Sequence, residues 1–247
     1  VTGFAFYALA ILASFTVGLS KGGLPMVGVL GVPLLSLVIS PVAAAALLLP
    51  IYIVSDMFGL WAYRREYDLR NLKILVPSAA LGIFLGWASY AIISERIVTL
   101  LVGLIGLAYC INAVVKRGNV ASRPSDIPRG VFWGTITGLT SFVSHTGGPP
   151  FQMYVLPQKL PKMVFAGTST ILFAIVNLLK VPPYAQLGQF NPANLEIAAM
   201  LSPIAVLGAW VGYKATRIIP EKLFFRIVEV ALAVVSVRLI YTAAFPG

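Results

Sequence analysis

Gly18-Leu-Ser-Lys-Gly-Gly-Leu-Pro25 sets a lysine, two adjacent glycines and a proline inside the first of many hydrophobic blocks. Apolar helical sequence leads into it from Phe4 to Val17 and resumes from Met26 to Ile39. Gly22-Gly23 adds backbone entropy and Pro25 lacks an N–H, so the helix breaks here. A bilayer tolerates broken backbone only where protein or a polar cavity surrounds it. A lysine at that depth costs about 2.5–3.5 kcal/mol on insertion scales and marks a site or pathway by default. The segment therefore reads as a broken-helix hairpin, residues 4–39, inside a membrane protein.

Composition agrees. Of 247 residues, 59% are hydrophobic and 11% charged, against about 25% charged in soluble domains. Apolar runs of spanning length recur, about 20 residues each, and the alternating strands of a barrel are absent. The fold class is an all-α polytopic membrane protein. Eighteen Lys and Arg against eight Asp and Glu give a net charge of +10. These bases lie in short loops between apolar segments, where they set orientation, so no nucleic-acid-binding surface is expected. The one cysteine, Cys110, sits in an apolar run and has no internal disulfide partner. The chain opens at Val1 without methionine, so a natural start upstream is expected. The first block lacks the basic region and cleavage site of a signal peptide.

The chain repeats itself. His145-Thr-Gly-Gly-Pro-Pro150 echoes Ser20-Lys-Gly-Gly-Leu-Pro25, Leu160-Pro161 echoes Ser40-Pro41, Gly208-xxx-Gly212 echoes Gly82-xxx-Gly86, and Ile219-Pro-Glu-Lys echoes Ile93-Ser-Glu-Arg, at offsets of 120 to 126 residues. Residues 1–115 are thus the first repeat, with the hairpin 4–39 and helices 42–63, 74–93 and 97–115. Residues 130–247 are the second, with a hairpin 130–157 and helices 161–180, 194–214 and 222–244. A polar linker, 116–129, joins them. Loops 64–73, 116–129 and 214–226 are rich in Lys and Arg and read as cytoplasmic, whereas loop 182–194 has no base and reads as external. Two inverted repeats follow, with both termini external.

The paired loops suit an anion. Half-helix ends offer free N–H groups, and glycines allow close approach. The candidate substrate-binding residues are Ser20, Lys21, Gly22 and Gly23 in the first loop and His145, Thr146, Gly147 and Gly148 in the second, with Gln152 and Asn177. Asp56, the only acid before Gly59, is the candidate coupling group, with His145 as the other; its approximate counterpart in the second half is Asn177. Bland roles stand beside these. Lys21 and Lys180 could each snorkel to the surface, His145 could be a packing residue, and Asp56 could pair with the basic helix end at Arg64. No metal site or cofactor is expected.

At these residues the chain resembles the TauE/SafE family. The resemblance rests on the Gly-xxx-Lys-Gly-Gly…Pro block, its second copy, the proline-led segments 41–63 and 161–180, and the Leu-Gly-xxx-Gly helix. It implies a multi-pass protein of a bacterial or archaeal inner membrane that moves sulfite, a sulfonate, sulfoacetate or a related sulfur anion, with a proton or other ion for coupling. The second copy carries His145-Thr146 where the first carries Ser20-Lys21. With no phosphate-binding loop for ATP, a secondary transporter is the leading reading and no enzyme is expected. The alternatives are a passive anion channel and an intramembrane hydrolase using a Ser20–His145 dyad.

Overall fold

The computed structural model describes residues 3–25, 27–89, 95–115, 122–190 and 192–245. Among them the protein is built of helices without strands: α1 (Phe4–Lys21), a 3₁₀ turn (Val27–Leu30), α2 (Gly31–Leu35), α3 (Pro41–Tyr63), α4 (Leu69–Ala88), α5 (Glu95–Val115), α6 (Ile127–Ser144), α7 (Gly148–Val155), a 3₁₀ turn (Leu156–Gln158), α8 (Lys162–Gln186), α9 (Pro192–Ile218) and α10 (Glu221–Ala244). Among the described residues, five spans within α1, α3, α4, α8 and α9 are long and apolar enough to cross a membrane. Leu81, Phe84, Leu207, Trp210, Val230 and Val234 are exposed on the outside of the bundle. That apolar surface would be a liability in water and is the natural face toward lipid. The protein is an all-α polytopic membrane protein.

Helices pair across the sequence. α1 runs along α9 and α6 along α4, while α3 packs on α8 and α5 on α10. One core joins α1, α2, α3 and α9 through Ala13, Val17, Leu35, Leu48, Ile51 and Leu201. The other joins α4, α6, α7, α8 and α10 through Leu75, Phe142, Phe151, Phe165, Phe224 and Leu232.

Small residues set the closest approaches. A Cβ added at Gly18 would stand 1.9 Å from the Ala205 carbonyl oxygen, and one at Gly208 2.5 Å from that of Phe15. At the second contact, a Cβ on Gly82 would meet the Thr135 oxygen at 2.0 Å, and one on Gly138 the Ala79 oxygen at 2.0 Å. Without an apolar solvent difference to drive helices together, such backbone proximity is the main source of membrane helix packing.

Several boundaries differ from those read in the sequence. The helix expected over 74–93 begins at Leu69, because Asp68 caps it by accepting from the Asn71 N–H at 2.7 Å; residues 90–94 lie outside the described residues. The linker expected over 116–129 ends earlier, since Asp126 caps α6 by accepting from the Arg129 N–H at 2.9 Å. Residues 116–121 of that linker are outside the described residues too. The basic loop 64–73 therefore shortens to 64–68, and loop 214–226 to the turn 219–220. The helix expected over 161–180 continues through Pro182-Pro183 to Gln186, and so takes up the start of the loop read as 182–194. Tyr184 anchors this added turn: it is buried, and its hydroxyl donates to the Phe142 carbonyl at 3.1 Å. The second arm of the first hairpin is a 3₁₀ turn and a five-residue helix, not one helix over 26–39. Gly28 lies against Ser20 and Gly31 against Val17, folding this arm tightly back on α1.

Overpacking these helix contacts should be costly. Gly18→Ala and Gly82→Ala are each expected to lower stability by about 1–3 kcal/mol, seen as a fall in the midpoint of thermal unfolding in detergent. Gly3→Ala, which meets nothing within 4 Å, should leave the midpoint unchanged.

Candidate functional site

α1 ends inside the protein, and its last carbonyls need donors where water is scarce. Tyr63 at the end of α3 donates its hydroxyl to the Gly22 oxygen at 2.7 Å, and Thr216 of α9 donates to the same oxygen at 3.2 Å. Thr170 of α8 donates to the Lys21 oxygen at 3.3 Å. Gly23 turns the chain at a φ of 110°, where a Cβ would strike the Tyr63 hydroxyl at 2.3 Å. Three other helices thus cap the break.

The Lys21 side chain is buried, and its ammonium lies 2.8 Å from Oδ1 of Asp56, itself 1% exposed. Asn177 of α8 donates its amide to Oδ2 of Asp56 at 2.7 Å. The Lys21 ammonium also sits 4.9 Å from the centre of the Tyr52 ring, in cation–π range. Tyr52 in turn stacks on His145, with centroids 5.2 Å apart and planes 9° from parallel. Its hydroxyl donates to the Gly28 oxygen at 2.9 Å.

His145 ends α6 in the left-handed region, φ 54° and ψ 24°, a conformation that non-glycine residues adopt at a cost and that clusters at functional sites. Its ring is held on both edges. Nδ1 lies 3.1 Å from the Lys180 ammonium and Nε2 lies 3.2 Å from the Tyr184 hydroxyl. Because Tyr184 gives its proton to the Phe142 oxygen, its lone pair accepts from Nε2–H, and Nδ1 accepts from Lys180. Lys180 is fully buried and also reaches the oxygen and Oγ of Ser141, both at 3.3 Å. Three acceptors around one nitrogen match the three donors of an ammonium. Among the described residues Asp56 is the one carboxylate in this buried cluster, and it is in contact with Lys21.

Between these groups lies a cavity of about 40 Å³, lined by Ser20, Lys21, Tyr52, His145, Phe173 and Asn177 among others. That is room for about three waters, or a small ion of comparable bulk. Ser20, Lys21, Asp56, His145 and Asn177 are therefore brought together. Gly148, the first residue of α7, lines the cavity as well.

Other expected residues lie elsewhere. Gly22 is a packing glycine: a Cβ there would meet the Ala209 oxygen at 2.4 Å. Gly23 serves the turn, and Gly147 is pressed against Thr137 and Phe173. Thr146 bonds to the Ser144 hydroxyl at 2.7 Å. Gln152 is buried beyond the cavity lining, and neither amide atom has a hydrogen-bond partner among the described residues.

The expectation that the half-helix ends at both loops offer free N–H groups needs correction. α1 and α6 both arrive by their C-terminal ends, and of the resumed segments α7 alone reaches two turns, since the first break is followed by a four-residue 3₁₀ turn and the five-residue α2. Lys180 does not snorkel; it was missed as a site residue although it follows Asn177 by one helical turn and shares its face. Asp56 pairs with Lys21, while Arg64 turns back to the Trp61 carbonyl at 3.0 Å. Ser20 donates to the Val17 oxygen at 2.6 Å, and both ring nitrogens of His145 are engaged by Lys180 and Tyr184, so no Ser20–His145 dyad is formed.

A helical bundle that buries two lysines, an aspartate and a histidine around a small cavity is a membrane protein built to hold charge in its interior. Residues 8–239, nearly the whole chain, match the family described as Sulfite exporter TauE/SafE, and the chain belongs to that family. No curated protein and no solved structure matches the chain.

Removing one member of the Lys21–Asp56 pair leaves a buried charge uncompensated. Lys21→Met is expected to cost about 3–5 kcal/mol of stability. The double variant Lys21→Met/Asp56→Leu should recover most of that loss, read as thermal unfolding of the detergent-solubilised protein; additive losses would contradict the pairing.

Proposed function

We propose that this protein is a secondary transporter, exporter or permease, of a small sulfur-containing anion such as sulfite, a sulfonate or sulfoacetate, and that the cavity between Lys21 and His145 is its binding site. The observation that carries this reading is the charge count. Two buried lysines lie near one buried carboxylate, so the cluster holds one more basic group than acidic, and an anion with its proton is the partner that would complete it. Gly148 at the start of α7 offers its own backbone N–H from one side, the next two residues being prolines without one. Membership of the sulfite exporter family narrows the anion to sulfur chemistry.

Asp56 acts as a stand-in for the substrate. In the empty site it neutralises Lys21; an arriving anion takes over the ammonium and frees the carboxylate to accept a proton, so anion and proton travel together. The two hairpins would frame alternating access as parts of inverted repeats, with the linker ahead of α6 cytoplasmic, the connection between α8 and α9 external, and both termini external in an inner membrane. The pairing of helices supports this: α1 meets α9 while α6 meets α4, and α3 meets α8 while α5 meets α10. Two halves related by a two-fold axis would give that exchange.

Three measurements test the reading. In a thermal-shift panel of sulfite, sulfate, thiosulfate, taurine, sulfoacetate and matched carboxylates, the true ligand should stabilise by about 2.7 kcal/mol at a hundredfold excess over Kd. Lys21→Ala should weaken that response at least about tenfold in affinity, as expected for losing a charge-assisted contact, Lys180→Met should weaken it by releasing the His145 ring it holds, and Lys21→Arg should retain part of it. Unchanged affinity in both lysine variants would remove the site from this cavity.

In proteoliposomes, flux should depend on a proton gradient in the native protein and lose that dependence in Asp56→Asn. Flux indifferent to the gradient in both proteins would favour a channel. Impermeant thiol labelling of Ser122→Cys and Gln186→Cys in a Cys110→Ala background should occur from opposite sides of the membrane; labelling of both from one side would sink the inverted arrangement.

A further inference from the structure

A second cavity opens on the flank of the bundle, away from the buried charges. It measures about 560 Å³, within the range of about 300–1,000 Å³ typical of small-ligand sites. It lies where α3 ends, α4 begins and α8 passes behind them. Leu60, Leu72, Ile171 and Ile175 give it an apolar floor, and Arg64 and Lys73 stand among its lining residues. Arg64 is the residue that ends α3 and Lys73 is in the first turns of α4, so both cations sit at the level where two helices leave the bilayer. Tyr67, between the helices, also lines it and is 39% exposed, the placement favoured by tyrosine at the boundary between hydrocarbon and headgroups.

The charge of this rim is unspent. Among the described residues, neither Arg64 nor Lys73 has a carboxylate within ion-pair distance. The two acids on the same connection are committed elsewhere: Glu66 faces Arg217 at 3.8 Å, and Asp68 caps α4. The guanidinium of Arg64 lies 5.4 Å from the Trp61 ring and bonds to the Trp61 carbonyl, which holds it near the groove by contacts that leave donors free.

An apolar trough with two cations at one end matches one kind of molecule available to a membrane protein at that depth. We propose that this groove is a binding site for an anionic phospholipid, with one acyl chain along the Leu60, Leu72, Ile171 and Ile175 floor and the headgroup phosphate between Arg64 and Lys73. Ile171 and Thr170 are neighbours on α8, and Thr170 lines the central cavity and donates to the Lys21 oxygen. The lipid would thus rest against the same helix that closes the break in α1. The proposal is independent of the transported substrate.

The test is competition between lipids for the full-length protein in detergent, read by native mass spectrometry with equal phosphatidylglycerol and phosphatidylcholine. A cation close to an anionic surface contributes roughly a factor of five, so two give the native protein roughly a 30-fold preference for phosphatidylglycerol. Arg64→Gln/Lys73→Gln should lose the preference while still binding either lipid, because the apolar floor is intact. Ile175→Trp, which fills the floor, should reduce the binding of both. Soluble glycerol phosphate in large excess should not displace phosphatidylglycerol. Equal binding of the two lipids by the native protein, a preference that survives the double substitution, or displacement by glycerol phosphate would each overturn the proposal.

Discussion

A helix that stops inside a membrane protein exposes carbonyl oxygens that no water can satisfy, and the arrangement of this molecule follows from how that debt is met. The oxygens of Lys21 and Gly22 receive hydroxyl protons from Thr170, Tyr63 and Thr216. Those donors belong to α8, α3 and α9, so the break in α1 fixes three helices about one point. The glycines of the loop are then required by proximity: the backbone must come close enough for short side chains to reach it, and Gly22 touches α9 where any Cβ would collide. What looks in sequence like a ligand-binding loop is first a structural joint.

Charge is arranged around that joint in two layers. Lys21, Asp56 and Asn177 form a compensated set, in which each carboxylate oxygen has a partner. Lys180, His145, Ser141 and Tyr184 form a second set of donors and acceptors with no acid. Tyr52 lies between them, near the Lys21 ammonium on one account and stacked on His145 on the other. The Lys180 nitrogen is received by neutral acceptors alone.

Much of this was legible in the chain. The membrane class follows from composition, the hairpin from Gly22-Gly23 and Pro25, and the importance of Lys21 and Asp56 from the rarity of charge in apolar sequence. Asn177 is legible only as an approximate counterpart of Asp56, one position out of register, and the structure puts the two in direct contact. Other features were hidden for identifiable reasons. Lys180 precedes Val181-Pro182-Pro183, so it read as a helix end near a surface, and only the buried Tyr184 carries the helix onward. Asp68 and Asp126 read as parts of basic loops, although an aspartate three residues before an unpaired N–H is a cap. Tyr52 and Tyr184 are aromatic residues in hydrophobic runs, where nothing in the sequence separates a lining residue from a packing one. The direction of the helix ends was missed because a glycine-rich break looks alike from both sides.

The crossed pairing of α1 with α9 and α6 with α4 has a consequence for how the chain can be divided. Each of the two early helices finds its closest neighbour in the opposite half of the sequence, through contacts in which glycine faces main-chain oxygen. A cut between α5 and α6 would leave two fragments, each deprived of the surface against which its own first helix is buried. The two halves interlock like clasped hands. A translating ribosome must therefore release α9 before α1 gains its lasting partner, and until then the lysine-bearing end of α1 waits in the membrane without Thr216 to cap it.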